Sequence, residues 1–293
     1  MQKRHKKCRN CEFRLESAAG VICIATISFN VSIGNPLPAQ PALPAEWSLS
    51  PEPEPVFGLP EVLAAFLGTL LALLSCAGVA IAVARHLPAL SRLSPLELAN
   101  DPRVLLPAQL VAYALVLGIL WRLFAHHMHI GFLRALAWRW PRRWLRFIFG
   151  GAVMAIAVQL AAHLLPVPPE APIDKMLQSA SDAWLMSGFG VLIAPFVEEV
   201  LFRGLLFPAL ARRAGALISL AVTSLLFGAV HAQQLAGSWI EVACIVCVGA
   251  ALTLVRWRFH SLACSTLVHV GYNGTLFAAL FVQTHGFTNF AVH

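Results

Sequence analysis

Charge is scarce in this sequence. Charged residues fill 12% of the 293 positions, against about 25% in an ordinary soluble domain. A soluble surface has to be solvated, so this scarcity excludes one or two soluble domains of the same length. The formal charge of +7 does not read as nucleic-acid binding, because the basic residues sit in short clusters between apolar runs. Cysteine offers no disulfide framework. Of the seven cysteines, Cys8 and Cys11 form a CxxC in a basic tail with His5 nearby. A zinc site there would need two more ligands, and a flexible tail is the simpler reading. Cys244 and Cys247 form a second CxxC in the middle of an apolar run. With Cys76 and Cys264 they read as small buried hydrophobes. No internal repeat is evident.

What the chain has in abundance is apolar length: 58% of its residues are hydrophobic. Seven runs are candidates to cross a bilayer: Val62 to Ala84, Val104 to Trp121, Phe147 to Leu165, Ala183 to Ala211, Ala214 to Ala232, Ile240 to Val255 and Leu262 to Val282. A span needs about 20 apolar residues. Only helices satisfy their backbone groups within one such segment. The expected fold is therefore all-α, a polytopic transmembrane helix bundle of about seven spans. An eighth would be the weak stretch Ala18 to Gly34, which also reads as a signal-peptide core. Residues 1–60 divide off as a basic tail, that weak stretch and a Pro-rich linker; 61–293 form the helical domain.

Arginine placement predicts the orientation. Arg134, Arg139, Arg142, Arg143 and Arg146 follow the second span, Arg212 and Arg213 the fourth, and Arg256 and Arg258 the sixth. Two spans separate each connection from the next, so all three share a side, and the positive-inside rule makes it cytoplasmic. The loop after the third span has only Lys175, beside Glu170 and Asp174. Arg85, Arg92 and Arg103 fall on the wrong side and are a mild violation. Richness in Ala, Leu and Arg suggests a bacterial plasma membrane.

Against this apolar background a few polar side chains stand out. Each ionisable group at mid-membrane costs about 2.5–3.5 kcal/mol on insertion scales, so such groups are functional candidates by default. The fourth span holds Glu198, Glu199 and Arg203. Glu199 and Arg203 are i and i+4 with the acid first, the favourable order for a pair. Glu198 is rotated by about 100° and can face elsewhere, leaving one carboxylate free for work. The fifth span ends in Phe227-Gly228-Ala229-Val230-His231. The seventh holds His269 and Asn273, i and i+4 on one face. Gly228, Gly271 and Gly274 would let neighbouring helices approach closely. His231 alone would read as an interfacial or core histidine. Together the three groups put a carboxylate, two imidazoles and an amide on three helices, which is how bundle cores build sites. Ser187, and the cluster His126, His127 and His129 with His163, read instead as packing and interfacial residues.

The pattern Glu-Glu-x-x-x-Arg, Phe-x-x-x-His, His-x-x-x-Asn resembles the type II CAAX prenyl endopeptidase family, also called the CPBP or ABI family of intramembrane proteases. The resemblance covers about 183–282. It implies an intramembrane endopeptidase acting on a peptide or protein substrate, membrane-anchored substrates included, within the lipid bilayer. Glu198 would be the general base, His231 would hold the water, and His269 with Asn273 would bind a metal or stabilise the oxyanion. Arg203 would hold Glu199. Two arrangements stay open. Glu198, His231 and His269 could ligate a divalent metal such as zinc, which wants three protein ligands and an open position; or Glu198 could act as base without one. The chain has no His-Glu-x-x-His and no intramembrane Gly-Asp pair, so other protease types fit worse. Two other classes also stay open: a non-catalytic scaffold or bacteriocin-immunity-type protein of the same fold, and a transporter using Glu198 as a proton relay.

Overall fold

The long apolar runs set the architecture, and in the computed structural model every regular element among the described residues is helical. Those residues are 57–127, 129, 131–165, 179–235 and 238–289, the side chains of 127 and 163 excepted. The tail with Cys8 and Cys11, the stretch Ala18 to Gly34, the Pro-rich linker and the loop with Glu170, Asp174 and Lys175 lie outside them.

Seven helices match the seven expected runs: α1 (Leu59–Ala84), α2 (Pro102–His127), α3 (Leu145–His163), α4 (Ala180–Ala214), α5 (Ala216–His231), α6 (Trp239–Phe259) and α7 (Leu262–Gln283). Six are long and apolar enough to cross a membrane, and α5 is a shorter apolar helix. This is a polytopic helical bundle and an integral membrane protein. The ends have local causes. Gly58 precedes α1, its N–H donating to Glu61 Oε2 at 2.8 Å, and Pro60 occupies the first turn, where a missing N–H costs nothing. A capping box of Ser94 and Glu97 starts the short helix Pro95–Asn100 between α1 and α2. Gly215, at φ +78°, makes the turn from α4 to α5 that a residue with a side chain would resist.

The helices pair chiefly as α3 with α7, α5 with α6, and α1 with α2. Lipid is as apolar as leucine, so helices in a membrane associate by close packing at small residues. A Cβ on Gly271 would sit 2.1 Å from the Ile148 carbonyl oxygen, and one on Gly151 would sit 2.0 Å from that of Val268. The backbones of α3 and α7 therefore touch. At Gly228 a Cβ would meet Val246 Cγ2 at 2.4 Å, which brings α5 against α6. Gly274 has ordinary space around it, so the close contact expected there is not made. Cys264 is buried as expected, but Cys247 is exposed on α6 and Cys76 and Cys244 are only partly buried. On a helix face turned to lipid, a thiol serves as one more small apolar group. Ser187 packs as expected, its hydroxyl donating to the Ala183 carbonyl at 2.6 Å.

α4 departs from a plain helix. Its α-helical turns are interrupted by two π-helical segments, Phe189–Ile193 and Val200–Leu206, which flank Ala194–Glu199. Each is followed by one residue and then a proline. Ala194 N–H donates to the Phe189 carbonyl and Phe207 N–H to that of Phe202, five residues back in both cases. Pro195 and Pro208 come next and have no N–H to give. The wide turns let the helix continue past both prolines.

Candidate active site

Glu198 and Glu199 occupy the single α-helical stretch between the two π segments, a distortion frequent at functional sites. Glu199 and Arg203 form the expected pair, Nη1 to Oε1 3.0 Å, with both side chains fully buried. The guanidinium is held on every side. Its Nη2 donates to the Gly249 carbonyl at 2.8 Å and its Nε to Thr253 Oγ1 at 3.2 Å. Its carbon lies 4.3 Å from the centre of the Phe227 ring. A planar fork with five donors suits this set of acceptors, and an ammonium would not reach them all. Gly249 and Thr253 were missed in the sequence. A glycine and a threonine four apart in an apolar run carry no signal beyond ordinary helix packing.

The two carboxylates are not as separate as a 100° rotation suggests. His269 stands between them: Nδ1 is 3.2 Å from Glu199 Oε1, and Nε2 is 3.7 Å from Glu198 Oε2. The first contact is a hydrogen bond that directs the Nδ1 proton to Glu199. The second is longer than a direct hydrogen bond, which runs to about 3.2 Å. Glu198 is the more open acid, with 22% of its side chain exposed against none of Glu199's. The site thus has a sealed side, Glu199 with Arg203, and an open side, Glu198, with one imidazole joining them.

His231 ends α5. Its Nδ1 lies 2.7 Å from the Phe227 carbonyl oxygen, so the proton on that nitrogen is donated inward and Nε2 is left with its lone pair. Phe227 is the apolar hub of the site. Its ring packs 4.8 Å from that of His231 and 5.8 Å from that of His269, besides the Arg203 contact. Asn273 reaches back to α4, its Nδ2 donating to the Gly190 carbonyl at 2.7 Å. The residue five on from Gly190 is Pro195, which cannot donate. Asn273 supplies the bond that the proline withholds, so one amide N–H fastens α7 to the π turn while the other stays available.

Zinc is the metal that a carboxylate and two imidazoles would suit. In favour, both histidines engage Nδ1 and leave Nε2 for other use, and a carboxylate behind a histidine is a common support for a metal ligand. Against it, no three His, Cys, Asp or Glu side chains converge as a ligand set among the described residues, so Glu198, His231 and His269 do not form a ready site.

Of the six side chains singled out in the sequence, Glu199, Arg203 and His269 are linked in one network and Glu198 faces it. His231 joins through Phe227, and Asn273 braces α7 against α4. His126 and His129 are exposed and away from this network. No curated protein and no solved structure matches the chain. A family model does match. It covers 180–275, including all six side chains and none of α1 to α3. Residues 180–275 match the family described as type II CAAX prenyl endopeptidase Rce1-like, a likeness that at family level supports a CAAX-type intramembrane protease.

Proposed function

We propose that this protein is an intramembrane endopeptidase in which Glu198 activates a water against a peptide carbonyl. The observation that carries the reading is the gap of 3.7 Å between Glu198 Oε2 and His269 Nε2, with Glu199 and Arg203 sealed behind it. A water bridging these two atoms from the open side gives one proton to Glu198 as its oxygen adds to the carbonyl carbon. The tetrahedral oxyanion is met by the second N–H of Asn273, and by His269, held by Glu199, when its Nε2 also carries a proton. The C–N bond then breaks, and Glu198 returns the proton to the leaving nitrogen. His231 Nε2 accepts the water's other hydrogen. Preorganised donors in a low-dielectric site are worth far more than in water. The chain as substrate is a peptide or a protein, anchored in the same membrane; its sequence preference and any prenyl group are matters for a peptide library.

Purified protein should cleave members of such a library. Glu198→Gln keeps the shape and removes the base, so activity should fall by about 10²–10⁴-fold, with the melting temperature unchanged. Cleavage at the wild-type rate by Glu198→Gln would remove Glu198 from the mechanism. A zinc-assisted version, favoured by the two Nε2 atoms, would require Glu198, His231 and His269 to draw together around the ion. Bound zinc would polarise the carbonyl and acidify the water. It requires near-stoichiometric zinc by elemental analysis, lost in His231→Ala and His269→Ala alike.

The same reading places the arginine-bearing connections after α2, α4 and α6 in the cytoplasm of a bacterial cell, and Ser179 outside it. A Ser179→Cys variant in a cysteine-free background should react with an impermeant maleimide on intact cells. Reaction only after permeabilisation would invert the topology.

A further inference from the structure

The arginines between α2 and α3 do more than mark a side of the membrane. Arg139, Arg142, Arg143 and Arg146 line one cavity of about 430 Å³, with Trp140 and Phe259 completing its wall. All four arginines are exposed, and among the described residues none has an ion-pair partner and no carboxylate lines the cavity. The cavity also adjoins the start of α3. A helix N-terminus carries about half a positive charge and favours acids in its first turn. Here that turn has no acid, and Arg142, Arg143 and Arg146 crowd it instead. Five positive centres converge where a helix ordinarily collects negative charge.

This wall is fixed in place. Leu262 N–H donates to the Ala137 carbonyl at 3.1 Å, and the Ser261 hydroxyl donates to the Arg139 carbonyl. The loop is thereby stapled to the first turn of α7. Arg146 is further held over the rings of Phe147 and Phe259, at 4.7 and 5.4 Å. Arginines needed only for topology have no reason to converge on a pinned cavity. Such an array of like charges is stable with an anion between them, and guanidinium forks match phosphate oxygens.

We propose that this cavity binds the phosphate of an anionic phospholipid headgroup. The surroundings favour a lipid over a free phosphate. Trp140 and Trp144 are exposed at the rim, as aromatic residues are at headgroup depth. Leu145 and Phe149, i and i+4 on α3, continue the exposed face from the rim along the helix, where an acyl chain would lie. Basic pockets between membrane helices are suited to such headgroups.

The test uses the full chain in detergent and native mass spectrometry, with phosphatidylglycerol and phosphatidylcholine as competing probes. Wild type should retain phosphatidylglycerol in preference. An arginine near an anionic headgroup is worth about fivefold in affinity, so Arg142→Gln with Arg143→Gln should cut that preference by roughly 25-fold. Arg213→Gln, an exposed arginine outside the cavity, should leave it intact. Equal retention of the two lipids by wild type, or an unchanged preference in the double variant, overturns the proposal. Stabilisation by inorganic phosphate equal to that by phosphatidylglycerol, read as a shift in melting temperature, overturns the lipid assignment in favour of a soluble anion. Should the double variant fold poorly, Arg139→Gln and Arg143→Gln made singly should each cut the preference about fivefold, and an unchanged preference in both overturns the proposal.

Discussion

α1 and α7 are both long enough to cross the bilayer, yet they are opposites. α1 is the most hydropathic of the six long helices, and 6% of its most apolar stretch is buried; α7 is the least hydropathic, and 39% of the corresponding stretch is buried. In a soluble protein the more apolar helix would be the more buried. Here the order reverses, because α1 is solvated by lipid and α7 is enclosed by other helices. Every residue from Leu262 to His269 is buried, including Ser265, Thr266 and His269 itself. Of these two helices, the more polar one is the enclosed one.

The contrast can be broken hardest at its polar centre. Arg203→Ala strands the buried Glu199 carboxylate, and uncompensating such a pair costs about 3–5 kcal/mol. Folded yield, melting temperature and cleavage should all fall together; an Arg203→Ala protein as heat-stable as wild type would show the pair to be dispensable. The next step down is the contact that seats α7. Gly271→Ala puts a methyl group on the Ile148 carbonyl and forces α3 and α7 apart, an overpacking worth about 1–3 kcal/mol. Since Gly271 lies between His269 and Asn273, kcat should fall as well as the melting temperature. At the far end is the lipid face of α1. Leu74 is exposed there, and Leu74→Ala should shift stability by no more than about 0.5 kcal/mol. A large loss at Leu74 by thermal denaturation would mean that another chain or segment covers this face.

Spans and candidate site residues were legible for a simple reason. Hydropathy reports which segments can be solvated by lipid, and an ionisable residue in such a segment is costly enough to demand a purpose. The Glu199–Arg203 pair followed from spacing alone. Register within α4 did not. Pro195 and Pro208 read equally well as kinks or as ends, and nothing local signals that the helix widens around them. Nor did spacing show that Glu198 and Glu199, turned about 100° apart on α-helical backbone, would both address His269, which reaches them with its two ring nitrogens. The support that Gly249 and Thr253 give Arg203 was hidden too, since they become acceptors only when α6 lies beside α4. The length of α5 is a finding of the same kind: Gly215 cuts it short at one end, and it closes at His231 within the candidate site.

The π turn at Phe189–Ile193 makes the site a matter of counting. Such a turn holds one residue more than an α turn would, so it works as a built-in insertion. A chain with one residue deleted there could close a regular turn, and everything before the deletion would be rotated by about 100° relative to Glu198. Ala194–Glu199 and Arg203 would keep their own geometry, while the Gly190 carbonyl would leave Asn273 behind. The extra residue thus acts as a phase setting between two halves of one helix: one half meets α2, where Tyr113 stacks on Phe189, and the other carries the acids.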